Sequence, residues 1–163
     1  MQLSYAVLVL RRDYQGQELC SVARTLEIVG DRWTLLVLRD AFLGVRRFAD
    51  FRESLGIAPN VLTDRLVRLV DEGILERVRY SERPARYEYR LTAKGSELFV
   101  ALNALRQWGD RHLCAEPMRL LRRTSDGTPV VAALVPEGAP VLGNDDVELV
   151  PGPGFPHGGD AAR

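Results

Sequence analysis

Arg47–Thr92 reads RFADFRESLGIAPNVLTDRLVRLVDEGILERVRYSERPARYEYRLT, and its punctuation decides the fold. Gly56 separates two apolar-periodic segments with a tight turn. The first, Arg47 to Leu55, turns Phe48 and Phe51 inward. The second begins at Pro59, a residue favoured at the first position of a helix, and ends at Glu72 before Gly73. Leu62, Leu66 and Leu69 fall on one face of that helix. The period then changes. Ile74–Val78 and Tyr87–Leu91 are short extended runs, and Ser81–Arg86 (SERPAR) between them suits a hairpin loop longer than two residues.

Working towards the N-terminus, Arg32–Leu43 (RWTLLVLRDAFL) is apolar on nearly every side and predicts the buried central helix, closed by Gly44. Before it, Ser21–Val29 predicts a short helix with Ser21 as its cap and Gly30-Asp31 as its end. Towards the C-terminus, Thr92 is placed to cap a single long helix from about Ala93 to His112, striped by Leu98, Ala101, Leu102, Leu105 and Trp108. Beyond Pro117, three β-like runs follow, Met118–Arg123, Val130–Val135 and Val147–Val150, separated by Gly/Pro/Asp turns.

The order of helices, tight turn, helix and hairpin is the winged helix-turn-helix plan: a mainly α chain with a small β hairpin (α+β), a C-terminal dimerisation helix and a small β-like appendage. Four segments are expected: residues 1–13 as a lead-in, 14–115 as the winged domain, 116–150 as the appendage, and 151–163 as a glycine- and proline-rich disordered tail. No repeat is present.

Such a plan serves DNA. One helix projects into the major groove while the helix before it braces across the phosphates. With the three leucines inward, Asn60, Asp64 and Arg68 lie on the opposite face of the Pro59 helix, flanked by Thr63 and Arg65. Asn and Arg read base edges, and Thr serves base or phosphate. Arg83 and Arg86 around Pro84 are placed at the tip of a wing, for phosphate or minor-groove contact. Taken singly, each of these residues reads equally well as solvated surface. Their agreement with helix order and turn chemistry favours function.

Composition permits this reading without proving it. The chain has 163 residues, 46% hydrophobic and 27% charged, with zero net charge. Charge is unevenly spread: residues 1–115 carry 18 Lys+Arg against 15 Asp+Glu, whereas residues 116–163 carry 4 against 7. A local basic surface suffices for DNA. Ala6–Leu10 is too short, and lacks a basic start, for an export signal, and no run is long enough to span a membrane, so a cytoplasmic protein is expected. Cys20 and Cys114 are too few for a disulfide framework. Neither a G-x-G-x-x-G nor a P-loop occurs, and His112 and His157 are too far apart to suggest a catalytic pair, so an enzyme is not expected and no cofactor is called for. The rival class, a winged helix used only for protein interaction, would present an apolar reading face. Val67 alone fits that description.

The run from Cys20 to Gly95 resembles the HxlR family of MarR-like winged-helix regulators, most specifically in Cys20-Ser-Val-Ala, Gly30-Asp-Arg-Trp33 and Arg86-Tyr-Glu-Tyr-Arg-Leu-Thr92. The resemblance covers about Tyr14 to Leu113. It implies a homodimeric transcription regulator, repression being the expected sign, bound to palindromic double-stranded DNA and joined through its terminal helices. Val22 and Leu26 of the first helix, and Leu98, Leu102, Leu105 and Trp108 of the last, then form the interface. It makes Trp33 a core residue. It also matches Cys20 to the cysteine with which some members sense electrophiles or oxidants, while others answer to small molecules. A thiol beside a helix N-terminus suits that chemistry, and a buried packing residue is the plainer alternative. Relatives often carry a zinc-ribbon appendage with Cys-Gly knuckles. Here those positions read Asp126-Gly127 and Glu137-Gly138, with no cysteine after Cys114, so no metal is expected.

Overall fold

A computed structural model describes residues 19–156. The lead-in expected at 1–13 and the histidine at 157 lie outside the described residues. Four helices come first: α1 (Ser21–Val29), α2 (Arg32–Phe42), α3 (Phe48–Leu55) and α4 (Pro59–Asp71). The antiparallel hairpin β1 (Leu75–Ser81) and β2 (Arg86–Leu91) follows, then α5 (Ala93–Ser96) and α6 (Leu98–His112). A second antiparallel pair, β3 (Arg119–Arg123) and β4 (Val147–Pro151), forms the appendage.

The core is built where the sequence periodicities converge. Val37, Leu38, Phe51, Leu62, Leu66, Leu69 and Leu75 are fully buried, with Trp33, Phe48 and Leu98 packed against them. Burying a leucine or phenylalanine side chain contributes about 1.5–3 kcal/mol, so this cluster dominates the stability of the domain. Gly44, Gly56 and Gly73 all take positive φ (89°, 58° and 66°) and close their helices by the left-handed turn that only glycine adopts readily. The hairpin is rooted in the body: the Tyr89 N–H donates to the Arg46 carbonyl at 2.7 Å, and Arg47 bridges to Glu88, so the segment before α3 adds a third edge to the wing.

Four expectations are corrected. Ser21 does not cap α1; it is the first helical residue, and Cys20 holds the cap position without a side-chain hydrogen bond. The long helix is interrupted at Glu97. Thr92 caps as expected, its hydroxyl accepting from the Gly95 N–H at 3.0 Å, but this first turn is pulled onto the hairpin root while α6 leans over α2 and the appendage. A Cβ on Gly95 would stand 2.1 Å from the Ile74 carbonyl oxygen, so only glycine permits the approach. Next, Val130–Val135 joins no ladder. Pro129 meets Arg122 in a single bridge, and the chain then leaves β3 for α6, where the Gln107 amide stands in for a strand by pairing with both the N–H and the C=O of Ala132 at 3.1 Å. Last, the run from Pro151 was expected to be disordered, yet it is placed as far as Pro156. Gly152 N–H donates to Met118 O, Gly154 N–H to Pro117 O, and Phe155 lies under Arg119.

The knuckle positions survive as turns. Gly127 and Gly138 have φ of 71° and 79°, and the Asp126 carboxylate accepts the Thr128 N–H at 3.0 Å, a bond that holds its pKa below the ordinary aspartate value. Gly95→Ala should destabilise the protein by about 1–3 kcal/mol through overpacking against Ile74, read as a lower midpoint in thermal or urea unfolding. An unchanged midpoint would mean that α5 can move off the hairpin freely.

Candidate nucleic-acid interface

The geometry of α4 follows from what holds it. Asp31 caps α2 by accepting the Trp33 N–H at 2.9 Å. The same carboxylate receives Arg65 in a two-pronged pair, Nε to Oδ1 and Nη2 to Oδ2, both 3.0 Å. Arg68 donates to the Glu27 carbonyl in α1. Thus the two arginines expected on the reading face are engaged within the subunit, Arg65 with only a quarter of its side chain exposed. Asn60, Thr63 and Asp64 remain on the outer face, all exposed, with Val67 half-exposed beside them. The Thr63 hydroxyl donates back to the Pro59 carbonyl, and among the described residues the side chains of Asn60 and Asp64 have no hydrogen-bond partner.

The wing sorts its five arginines in the same way. Arg77 stacks on Tyr87 with its guanidinium 3.6 Å from the ring centroid. Arg79 is held by the Ser81 and Glu82 carbonyls and the Glu82 carboxylate. Arg90 pairs with Glu88 at 3.1 Å; Arg47, just before α3, reaches Glu88 at 3.5 Å and lies over Tyr80. Arg90 is the main cause of a lowered Glu88 pKa, with Arg47 adding to it against some desolvation. Arg83 and Arg86, at the tip, are exposed, and among the described residues their side chains pair with nothing. Two exposed cations that the sequence reading passed over, Arg46 and Arg52, flank and ride on α3. Their signal was available: basic residues on the bracing helix, where phosphates would lie.

The remaining expected residues divide. Val22 is 67% exposed and Leu26 41%, while Leu105 and Trp108 are each about half exposed, so both terminal helices show apolar side chains to solvent. Leu98 instead packs into its own subunit's core, and Leu102 is half-buried. Cys20 is half-buried and Cys114 exposed, both as free thiols.

Comparison with known proteins agrees with this architecture. The family model described as HxlR-like helix-turn-helix matches residues 28–117. The chain belongs to that family. It is 42% identical over 153 residues to an uncharacterised HTH-type transcriptional regulator of Mycobacterium tuberculosis, an alignment covering 92% of this chain and 95% of the relative. The solved structure of PA1607 is 43% identical and superposes with a TM-score of 0.66 over 79% of this chain and 93% of its own. The redox regulator HypR in its oxidised form is 30% identical, with a TM-score of 0.55 over 59% of this chain and all of its own. The family is one of transcription regulators rather than enzymes. Among the described residues, no helix is long and apolar enough to cross a membrane.

Arg65→Ala and Asp31→Ala should each lower stability by about 1–3 kcal/mol, because each removes the two-pronged pair and the second also uncaps α2. Arg83→Ala and Arg86→Ala should leave the unfolding midpoint where it is. Equal midpoints for all four variants would remove the clamp.

Proposed function

We propose that this chain is a homodimeric regulator that reads palindromic double-stranded DNA with the outer face of α4 and grips the flanking backbone with the wing. The observation that carries the reading is the division of labour among polar side chains. Arg65 and Arg68 lock α4 to α1 and the start of α2, while the side chains of Asn60, Asp64, Arg83 and Arg86 have no partner among the described residues. A solvated polar surface has no reason to separate its arginines into a clamp and a free tip. A DNA reader needs both, a rigid helix and unpaired donors and acceptors.

Asn60 is suited to adenine and Asp64 to the cytosine amino group, with Thr63 at base or phosphate. Asn60→Ala and Asp64→Ala should therefore cost about 1–3 kcal/mol on the preferred operator and far less on unrelated DNA. Arg83→Ala or Arg86→Ala should weaken binding to all sequences alike and reduce the salt slope by about one. These are read from mobility-shift or anisotropy titrations at several salt concentrations, on operators selected from random DNA. Unchanged binding in all four variants would sink the proposed surface.

The dimer rests on the exposed apolar side chains of α1 and α6, Val22, Leu26, Leu105 and Trp108, with half-buried Leu102 beside them. Exposed side chains of this size on two terminal helices are unusual for a monomer. A two-fold pairing would also set the two α4 helices one DNA turn apart. Light scattering is expected to give about twice 18.2 kDa. Cys20, at the N-terminal cap of α1, stands where that helix would meet the partner. Its oxidation would thus alter the spacing of the reading helices, in keeping with the redox role of HypR. Diamide should change the operator affinity of the wild type several-fold and leave Cys20→Ser unaffected. Equal insensitivity of both proteins would make Cys20 a packing residue.

A further inference from the structure

A cavity of about 260 Å³ lies between α6 and the appendage, away from the α4 face and the wing. Phe99, Val100 and Asn103 of α6 form one wall. Leu121 of β3, Val147 of β4 and the extended run around Val130–Ala133 form the other. In a chain that is 27% charged, none of the described residues lining it carries a charge. Its polar groups are two asparagine amides. Asn103 is 3% exposed; its Nδ2 donates to the Phe99 carbonyl at 3.0 Å and its Oδ1 accepts from Arg106 Nε at 3.2 Å. An amide has two donor hydrogens and two acceptor lone pairs, so one of each remains. Asn144, at the rim, donates to the Ser96 carbonyl.

We propose that this cavity is a binding site for a neutral, chiefly apolar small molecule of about bicyclic aromatic size, oriented by one hydrogen bond to the Asn103 amide. The size argument is direct: a closed aliphatic cavity of about 150 Å³ takes benzene, and this half-open one of about 260 Å³ has room for a second fused ring. Chemistry favours a neutral ligand: with no charged group among the described lining residues, a carboxylate or ammonium would give up hydration for no ionic partner. Apolar walls with one or two fixed polar groups are the usual composition of a small-ligand pocket.

The outer wall has the means to yield. The Val130–Val135 run is in no sheet, and two attachments hold it: Val130 N–H to the Leu121 carbonyl, and the Gln107 pair to Ala132. Gln107 is one turn beyond Asn103 on α6 and next to Trp108. A ligand that wedges the run outward therefore strains α6 beside its exposed apolar side chains. That consequence for DNA binding rests on the homodimer reading above; occupancy of the cavity does not.

The test uses 2-naphthol, a neutral bicyclic phenol, as the probe, with 2-naphthoate as the charged control. The full chain is titrated and followed by backbone and side-chain amide NMR. Saturable binding is expected, with shifts concentrated at the Asn103 side chain and at residues 130–133 and 121, and 2-naphthoate should bind about tenfold more weakly or worse. Val130→Phe, which fills the cavity with apolar volume, should cut affinity by about tenfold without lowering the unfolding midpoint. Asn103→Leu should do the same if it folds, and the cavity-filling variant decides the matter if it does not. No saturable binding, shifts at α1 or α4 instead, or unaltered affinity in Val130→Phe would overturn the proposal. So would cavity resonances that respond to protein concentration rather than to the probe, because a second copy of the chain would then be the occupant. Operator binding measured with and without 2-naphthol separately reports the regulatory consequence, so a failure of the dimer reading leaves the binding result intact.

Discussion

The position of α4 depends on one carboxylate. Asp31 occupies the two-residue break between α1 and α2, where it caps α2 and receives the guanidinium of Arg65 from α4, 34 positions away. The pair is only partly exposed, so the Coulomb term is less screened than at an open surface, and the fork geometry resists rotation of α4 about its axis. Leucine burial alone would not do this. Leu62, Leu66 and Leu69 hold α4 against the core, but apolar contact is non-directional and tolerates small rolls of a helix. Together with Arg68 on the Glu27 carbonyl, the clamp fixes which residues face outward.

The wing repeats the same principle at its root. Glu88 gathers Arg90 and Arg47, and their charges stabilise its ionised form enough to lower its pKa. A group with a depressed pKa adds stability that is complete above the ordinary glutamate range and is lost as pH falls through the lowered value. The wing is therefore fully tied to α3 at neutral pH. Arg77, Arg79 and Arg90 are oriented by contacts within the hairpin, whereas Arg83 and Arg86 at the tip have no side-chain partner among the described residues.

The appendage is ordered by glycine turns and strand pairing. Glycines at 127 and 138 keep the left-handed turns, and Asp126 closes its turn with a hydrogen bond to Thr128 N–H. With no thiolates to gather the loops, the segment takes its order from β3–β4 pairing and from α6, through Gln107, Arg106 and the cavity wall.

Local chemistry was enough to determine the ends of α2, α3 and α4 and the buried face of α4. Gly44, Gly56 and Gly73 marked helix ends because a positive φ is nearly theirs alone, Pro59 marked a start, and the leucine period of α4 chose its buried face. Those signals act within a turn or two of chain. The tertiary structure decided everything that depends on distant partners. Helical spacing placed Arg65 and Arg68 near the outer face, but a long guanidinium goes where its best acceptor lies, and Asp31 and the Glu27 carbonyl were invisible to the spacing. Leu98 belonged to the same stripe as Leu105 and Trp108, yet it packs against the core while they stay half exposed, because it lies at the end of α6 nearest the core. Val130–Val135 has strand composition, but a strand needs a neighbour with free N–H and C=O groups, and the neighbour available was a glutamine side chain.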